Sequence, residues 1–372
     1  METRTQKLKE AGQSLWLDNV QRIELHDGTL KNMIAEDGIC GVTSNPTIFM
    51  NAVSKSLDYD EQIESLTKEG KVSSAIYHSV TIEDIRDAAK LFLPVYEETG
   101  KKDGFVSIEI NPQLAFNIEE SIKEARAILE EIGLPNIMIK IPSTKEGISV
   151  IRQLVSEGIN VNATLIFSPE CCREVALAYI EGLEQRFGKG LDISGIHSVA
   201  SFFISRIDSS VDKLIDEADA GGNAGVSSLR GKTAVSVAKV TYLMYNDLFS
   251  DPRFLKLEEK GAVAQRLLWA STGTKDPSYS DIKYVEELIV NNTVNTLPPK
   301  TIDAFRDHGE IVNSFKSGLD EGPSILSQIE VCGIDLNKAY EDLQAAGVKA
   351  FEKSYLDLLD AISEKGMKLI SG

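Results

Sequence analysis

The stretch Ile137-Met138-Ile139-Lys140-Ile141-Pro142 sets one lysine inside an otherwise apolar run. Read as a strand, its side chains alternate: Ile137, Ile139 and Ile141 share one face, and Met138 and Lys140 the other. The run before it, at 105–110, has the same design, with Val106, Ile108 and Ile110 opposite Ser107 and Glu109. The run after it, at 160–167, places Asn160, Asn162 and Thr164 opposite Val161, Ala163 and Leu165. Three successive strands thus carry one apolar and one partly polar face.

Further candidate strands at 15–18, 39–44, 196–203, 267–272 and 293–297 bring the number to eight. Helical patterns fill most of the gaps. The segment Ile118–Ile132 is amphipathic and is followed by Gly133, a stop signal. Ser168-Pro169-Glu170 opens a helix over 171–187 with proline in its first turn. The cluster Gly221-Gly222-Asn223-Ala224-Gly225 reads as a loop inside an insertion, ahead of a helix over Thr233–Phe249. Eight strands with intervening helices predict an α/β fold, a parallel (β/α)8 TIM barrel with inserted helices. The 372 residues fit one barrel domain over 1–372, with strands over about 15–298 and a C-terminal helical extension over about 312–372 that packs on the barrel. In such a barrel the apolar faces meet the helix ring and the other faces point inward. Asp18, Thr43, Asn45, Ser201 and Ser271 fall at or just past strand ends, the usual position of a barrel active site.

Composition narrows the function. The chain is 42% hydrophobic and 26% charged, which is ordinary globular usage. Its 57 acidic against 39 basic residues give a net charge of −18. That field repels a phosphate backbone or an anionic bilayer, so neither a nucleic-acid nor a membrane partner is expected. An anionic ligand would need a few local cations to hold it. No apolar run approaches the roughly 20 residues of a spanning helix, and METRTQKLKEAGQ has no apolar signal core. Cys40, Cys171, Cys172 and Cys332 show no CxxC or disulfide-framework spacing. These features predict a cytoplasmic protein with reduced thiols. His26, His78, His197 and His308 are scattered without metal-ligand spacing, so no metal is expected. The stretch GVSSLRGKT at 225–233 imitates a phosphate-binding loop, but it has one residue too many between its glycines and follows a helix, not a strand.

Lys140 carries the sharpest chemical signal. A buried amine is costly unless it is paired or neutral, and burial favours the neutral form, which can condense with a carbonyl to a Schiff base. The alternative is a structural ion pair, with Glu109 on the neighbouring strand as the partner. Asp18 and Glu109 are carboxylates that could divide the proton transfers such chemistry needs. Asn45, Asn162, Thr43, Thr164, Ser201 and Ser271 are neutral hydrogen bonders suited to a hydroxyl-rich substrate such as a sugar.

Several blocks resemble the transaldolase family. GVTSNPTIF at 41–49 is similar to the signature after the second strand, and IKIPSTKEGI at 139–148 to the active-site lysine motif. GINVNATL at 158–165, SFFISR at 201–206, Leu17-Asp18 and Ser107-Ile108-Glu109 complete the set in family order. The length and helical tail resemble the long, roughly 370-residue bacterial subfamily. The resemblance implies that Lys140 attacks the C2 carbonyl of a ketose phosphate. Asp18 would take the C4 hydroxyl proton as C3–C4 breaks. Glu109 and Thr164 would hold the water of imine formation and hydrolysis. Asn45 and Asn162 would bind hydroxyls of the dihydroxyacetone unit. Thr43, Ser201, Phe203 and Ser271 would line the site, and Arg206 would bind phosphate. No cofactor is expected, because the lysine is the electron sink.

The chain departs from the family's shorter members in one place. Those carry a second phosphate-binding arginine after the seventh strand; here WASTGTKDP at 269–277 offers Lys275, a point charge without a planar fork. The related fructose 6-phosphate aldolases, which release free dihydroxyacetone, carry Gln where Glu109 stands and Tyr where Phe203 stands. Both residues favour the transferase. The expected partners are small-molecule sugar phosphates, and the expected assembly is a monomer or homodimer. A barrel that only binds sugar phosphate is the third reading.

Overall fold

A computed structural model describes residues 3–222 and 225–371. Eight strands, β1 (Gln13–Leu17), β2 (Gly41–Thr43), β3 (Phe105–Glu109), β4 (Ile137–Pro142), β5 (Val161–Ile166), β6 (Ser198–Phe203), β7 (Arg266–Ala270) and β8 (Thr293–Leu297), close into a barrel in sequence order. Every pairing is parallel, and β1 closes on β8 from Gln13 beside Thr293 to Leu17 beside Leu297. The fold is a (β/α)8 barrel with a C-terminal helical extension. Asn223 and Ala224 of the expected turn cluster lie outside the described residues.

Local sequence explains the helices between the strands. Asn117 caps Ile118–Ile132 by accepting from the Glu120 amide, and Gly133 ends it at φ 69°. Ser168 caps Pro169–Gly188 through the Cys171 amide, with proline at the first position. Thr144 caps Lys145–Glu157 through the Gly147 amide. Each cap satisfies a donor that the helix cannot satisfy itself.

The expected parity holds along the inner wall. Trp16 points inward on β1, and Gly41 on β2 is required by it: a Cβ at Gly41 would come within 2.5 Å of the indole. Toward the base of the barrel, Arg266 pairs with Asp103 at 2.8 Å while its other nitrogen donates to Ser14. Asp103 also accepts from Ser14 and from the Trp16 indole. Both charged side chains are about nine-tenths buried. Removing one member strands the other charge, so Asp103→Ala is expected to lower stability by about 3–5 kcal/mol, read from urea unfolding midpoints. A change below about 1 kcal/mol would mean that the base of the barrel is well hydrated.

Two strand readings are corrected. Asn160 lies before β5 rather than in it. Its side chain bonds the Pro135 and Ile137 carbonyls and the His197 amide, away from Thr164. The strand at 39–44 contracts to Gly41–Thr43, though Cys40 still donates its amide to the Leu15 carbonyl.

The C-terminal extension ends in a 36-residue helix, Leu336–Ser371, that packs against the helices Pro46–Lys55, Asp60–Lys68 and Ser73–Glu98. Gly347 lets it approach β5: a Cβ there would stand 3.0 Å from Leu165. Gln344 donates to the Ser143 and Leu165 carbonyls, Ser354 accepts from Thr47, and Lys365 pairs with Asp60. These contacts tie the helix to the C-terminal end of β5 and to segments that follow β2 and β4.

Candidate active site

At the C-terminal ends of the strands lies a cavity of about 480 Å³. Asp18, Thr43, Asn45, Lys140, Thr164, Ser201, Phe203, Arg206, Ser271 and Lys275 all line it. The register explains part of this convergence. Glu109 pairs with Lys140 across β3 and β4, and Lys140 pairs with Asn162 across β4 and β5, so three polar side chains form one row on the inner wall.

Lys140 is 5% exposed, and its Nζ donates to the Ser44 carbonyl at 3.0 Å. No carboxylate among the described residues lies within ion-pair distance of it, which removes the Glu109 ion pair as its structural role. Asp18 follows β1 and is partly open, but to the cavity. Its Oδ1 accepts from Thr43 at 2.7 Å, and Thr43 in turn contacts Thr296 at 2.7 Å. Burial raises the Asp18 pKa, while Lys140, the Thr43 bond, Lys275 and Arg206 pull it back down. Glu109 is pushed up to about 7 by burial, against the pull of Lys140 and with a further push from Asp18. Among the described residues its Oε2 has no hydrogen-bond partner, and neither has the Thr164 hydroxyl on the other side of Lys140.

Opposite the lysine, Arg206 and Lys275 share the cavity wall. Arg206 stands in the first turn of the helix Ser205–Ala220, directly after β6, with its guanidinium 5.3 Å from the centre of the Phe203 ring. That ring packs against Phe167 at 5.1 Å. Burial lowers the pKa of both cations, and Arg206 lowers that of Lys275 further. Among the described residues neither makes a close ion pair, and Asp18 is the carboxylate whose charge reaches both, so in a strongly acidic protein two cations converge on one cavity corner. An anionic group fits that corner.

Backbone geometry at the rim is unusual. Leu165 (φ 60°) and Ser271 (φ 55°) are left-handed without being glycine, a conformation that costs energy and clusters at functional sites. Leu165 falls within the register shift between β5 and β6, and the Ser271 carbonyl accepts from the Ser205 amide.

Two expected site residues stand elsewhere. Asn162 does not line the cavity. It is fully buried between Ser107, to which it donates at 3.0 Å, and Ser201, from which it accepts at 2.6 Å. Glu109 lines a different, smaller cavity. Several lining residues escaped the sequence reading: Thr47 and Asn51 from the helix Pro46–Lys55, Thr296 from β8, and Phe351 from the C-terminal helix. Thr47 and Asn51 stand one turn apart in the helix opened by Asn45-Pro46, and that spacing could have found them. Phe351 has no such signal, because its place depends on how a distant helix docks. Among the described residues no group of three or more potential ligands could hold a metal ion, and no helix is long and apolar enough to cross a membrane.

The family model for transaldolase/fructose-6-phosphate aldolase matches residues 15–362. The chain belongs to this family. It is 45% identical to a transaldolase of Trichodesmium erythraeum over 370 residues, covering 98% of this chain and 97% of that one. It is 43% identical to transaldolase 2 of a Nostoc species over 98% of both chains, and 42% identical to a transaldolase of Saccharopolyspora erythraea over 96% of both. The family match therefore runs from within β1 through β8 and over about three quarters of the C-terminal helix, including Phe351.

Proposed function

We propose that the protein moves a dihydroxyacetone unit from a ketose phosphate to an aldose phosphate through a Schiff base on Lys140. The chain is an enzyme, a transferase, and transaldolase is the name its full-length relatives carry. Sedoheptulose 7-phosphate or fructose 6-phosphate would be the donor, and glyceraldehyde 3-phosphate or erythrose 4-phosphate the acceptor, in the non-oxidative pentose phosphate pathway of the cytoplasm. The observation that carries this reading is an amine buried at the wall of a polar cavity, held by a backbone carbonyl and by no carboxylate.

Lys140 Nζ adds to C2, and the C2 oxygen leaves as water with a proton from Glu109. Asp18 takes the C4 hydroxyl proton, and C3–C4 breaks into an aldose and an enamine on Lys140. The acceptor aldehyde then meets the enamine carbon, Asp18 returns the proton, and water releases the product. Asn45 is fixed by accepting from the Ile48 amide at 3.1 Å, so its NH2 group remains for a substrate hydroxyl. Asn162 acts one layer back, by orienting Ser201. Lys275 joins Arg206 at the phosphate.

Borohydride reduction in the presence of fructose 6-phosphate, followed by peptide mapping, tests the reading: the adduct is expected on Lys140. Dependence of turnover on an added aldehyde separates a transferase from an aldolase. Arg206→Ala is expected to raise KM for erythrose 4-phosphate about 10- to 100-fold, the loss of one charge-assisted contact, and to change KM for unphosphorylated glyceraldehyde little. Equal changes with both acceptors would take Arg206 out of the phosphate site.

A further inference from the structure

Glu109 borders the reacting lysine, yet it lines a second cavity of about 240 Å³ and not the one that would hold substrate. This cavity lies between β3, the helices Ser73–Glu98 and Ile118–Ile132, and the C-terminal helix. Tyr77, Thr81 and Tyr355 form part of its wall, and Glu124, His78 and Ser74 also line it. Ser74 is exposed and His78 partly so, which opens this end to solvent. Glu124 is held in place by the Asn111 amide at 3.0 Å. Glu109 Oε2 is buried in this wall without a hydrogen-bond partner among the described residues, on a residue 8% exposed, and Thr81, 3% exposed, turns its hydroxyl toward Tyr77 on the same wall. Buried polar atoms of this kind are satisfied by water in folded proteins.

Such a passage would serve the chemistry. Each imine formed expels one water, and each imine hydrolysed consumes one. A sugar phosphate with its phosphate on Arg206 and its carbonyl at Lys140 would occupy the barrel mouth during both steps. We propose that the second cavity is the water and proton passage of the reaction, joining Glu109 to bulk solvent behind the substrate. This rests on the Schiff-base reading of Lys140. In the forward step the carbinolamine oxygen takes the Glu109 proton and leaves as water, so an iminium and a carboxylate form together. The water moves out past Thr81, and the carboxylate regains its proton through the same passage. Hydrolysis runs the steps backward, with water entering and Glu109 receiving the proton.

The charges facing Glu109 suit this duty. Lys140 and Asp18 act on it from the substrate side. Burial raises the Tyr77 phenol above its ordinary range, its bond with Thr81 offsets part of the rise, and Tyr355, Glu109 and Glu124 add to it. Burial also raises Glu124, which the bond from the Asn111 amide and, less, His78 partly offset. Tyr77, Thr81 and Glu124 are positioning residues here, since none lines the substrate cavity.

The test is oxygen exchange. Wild-type enzyme with fructose 6-phosphate in 18O-water, without acceptor, exchanges the C2 oxygen each time the imine forms and hydrolyses. Thr81→Ile fills the passage and is expected to slow this exchange about tenfold or more, with the equilibrium yield of borohydride adduct on Lys140 and the KM for donor unchanged. Thr81→Ser restores exchange. Glu124→Gln keeps an acceptor for the Asn111 amide and is expected to change the pH profile of exchange near the Glu109 pKa; it supplies the test should Thr81→Ile fail to fold. Wild-type exchange rates and profiles in these variants, with trapping intact, overturn the passage and leave the Schiff base standing. Absence of an adduct on Lys140 in the wild type overturns both.

Discussion

Lys140→Arg is expected to lower kcat/KM for transfer by on the order of 10⁴-fold or more, and to leave no borohydride adduct with fructose 6-phosphate. Arginine stays charged under all ordinary conditions and offers no free lone pair, so it cannot become an imine nitrogen. It can still donate to the Ser44 carbonyl, the one hydrogen bond Lys140 makes. The loss would therefore be chemical and not a failure to fold. Lys140→Met provides the complementary control. It removes a buried polar group that no carboxylate compensates, so transfer falls equally far while the urea midpoint holds or rises. A transfer activity above about one percent of wild type in both variants would move the nucleophile to another residue.

The barrel was legible in the sequence because its signal is local. β4 and β8 coincide with the candidate strands at 137–142 and 293–297, and Gly133 and Ser168 mark helix boundaries through chemistry that acts within four residues. Parity and strand-end position brought Asp18, Thr43, Asn45, Lys140, Thr164, Ser201 and Ser271 to one cavity once the strands closed in order, and Phe203, Arg206 and Lys275 came from the family resemblance. Parity stops short at Glu109. It says that the side chain belongs to the inner face of β3. It does not say that helices packed outside the strand leave a second space at the strand's end. Asn162 fails for a related reason: the alternation places it inward, but its depth depends on the register with Ser107 and Ser201. Phe351 required the docking of a helix that begins at Leu336, a contact more than 200 residues away in sequence from Asn45 and Lys140.

Asp18→Asn is expected to lower transfer about 10²- to 10⁴-fold while leaving borohydride trapping of the donor on Lys140 nearly intact. The two carboxylates beside Lys140 differ in what surrounds them, and that difference assigns their roles. Burial raises the Asp18 pKa, but its bond from Thr43 and the charges of Lys140, Lys275 and Arg206 offset part of that rise. Glu109 has an unpartnered Oε2, its pKa is pushed up to about 7, and the neighbouring Asp18 charge adds to that push. The hydroxyl and cations around the first suit it to accept the C4 hydroxyl proton, and the second, pushed up to about 7, to donate during dehydration. Asparagine keeps the acceptor that Thr43 needs, so the site stays in place, but it cannot take a proton. The variant would still form the imine, which Glu109 serves, and would stall at C3–C4 cleavage. If trapping fell in parallel with transfer, Asp18 would belong to imine formation and the division of labour would be reversed. Glu109→Gln should show the opposite pattern, with slow trapping. It should also abolish the limb on which wild-type imine formation declines as pH rises through about 7, because that limb is the loss of the Glu109 proton.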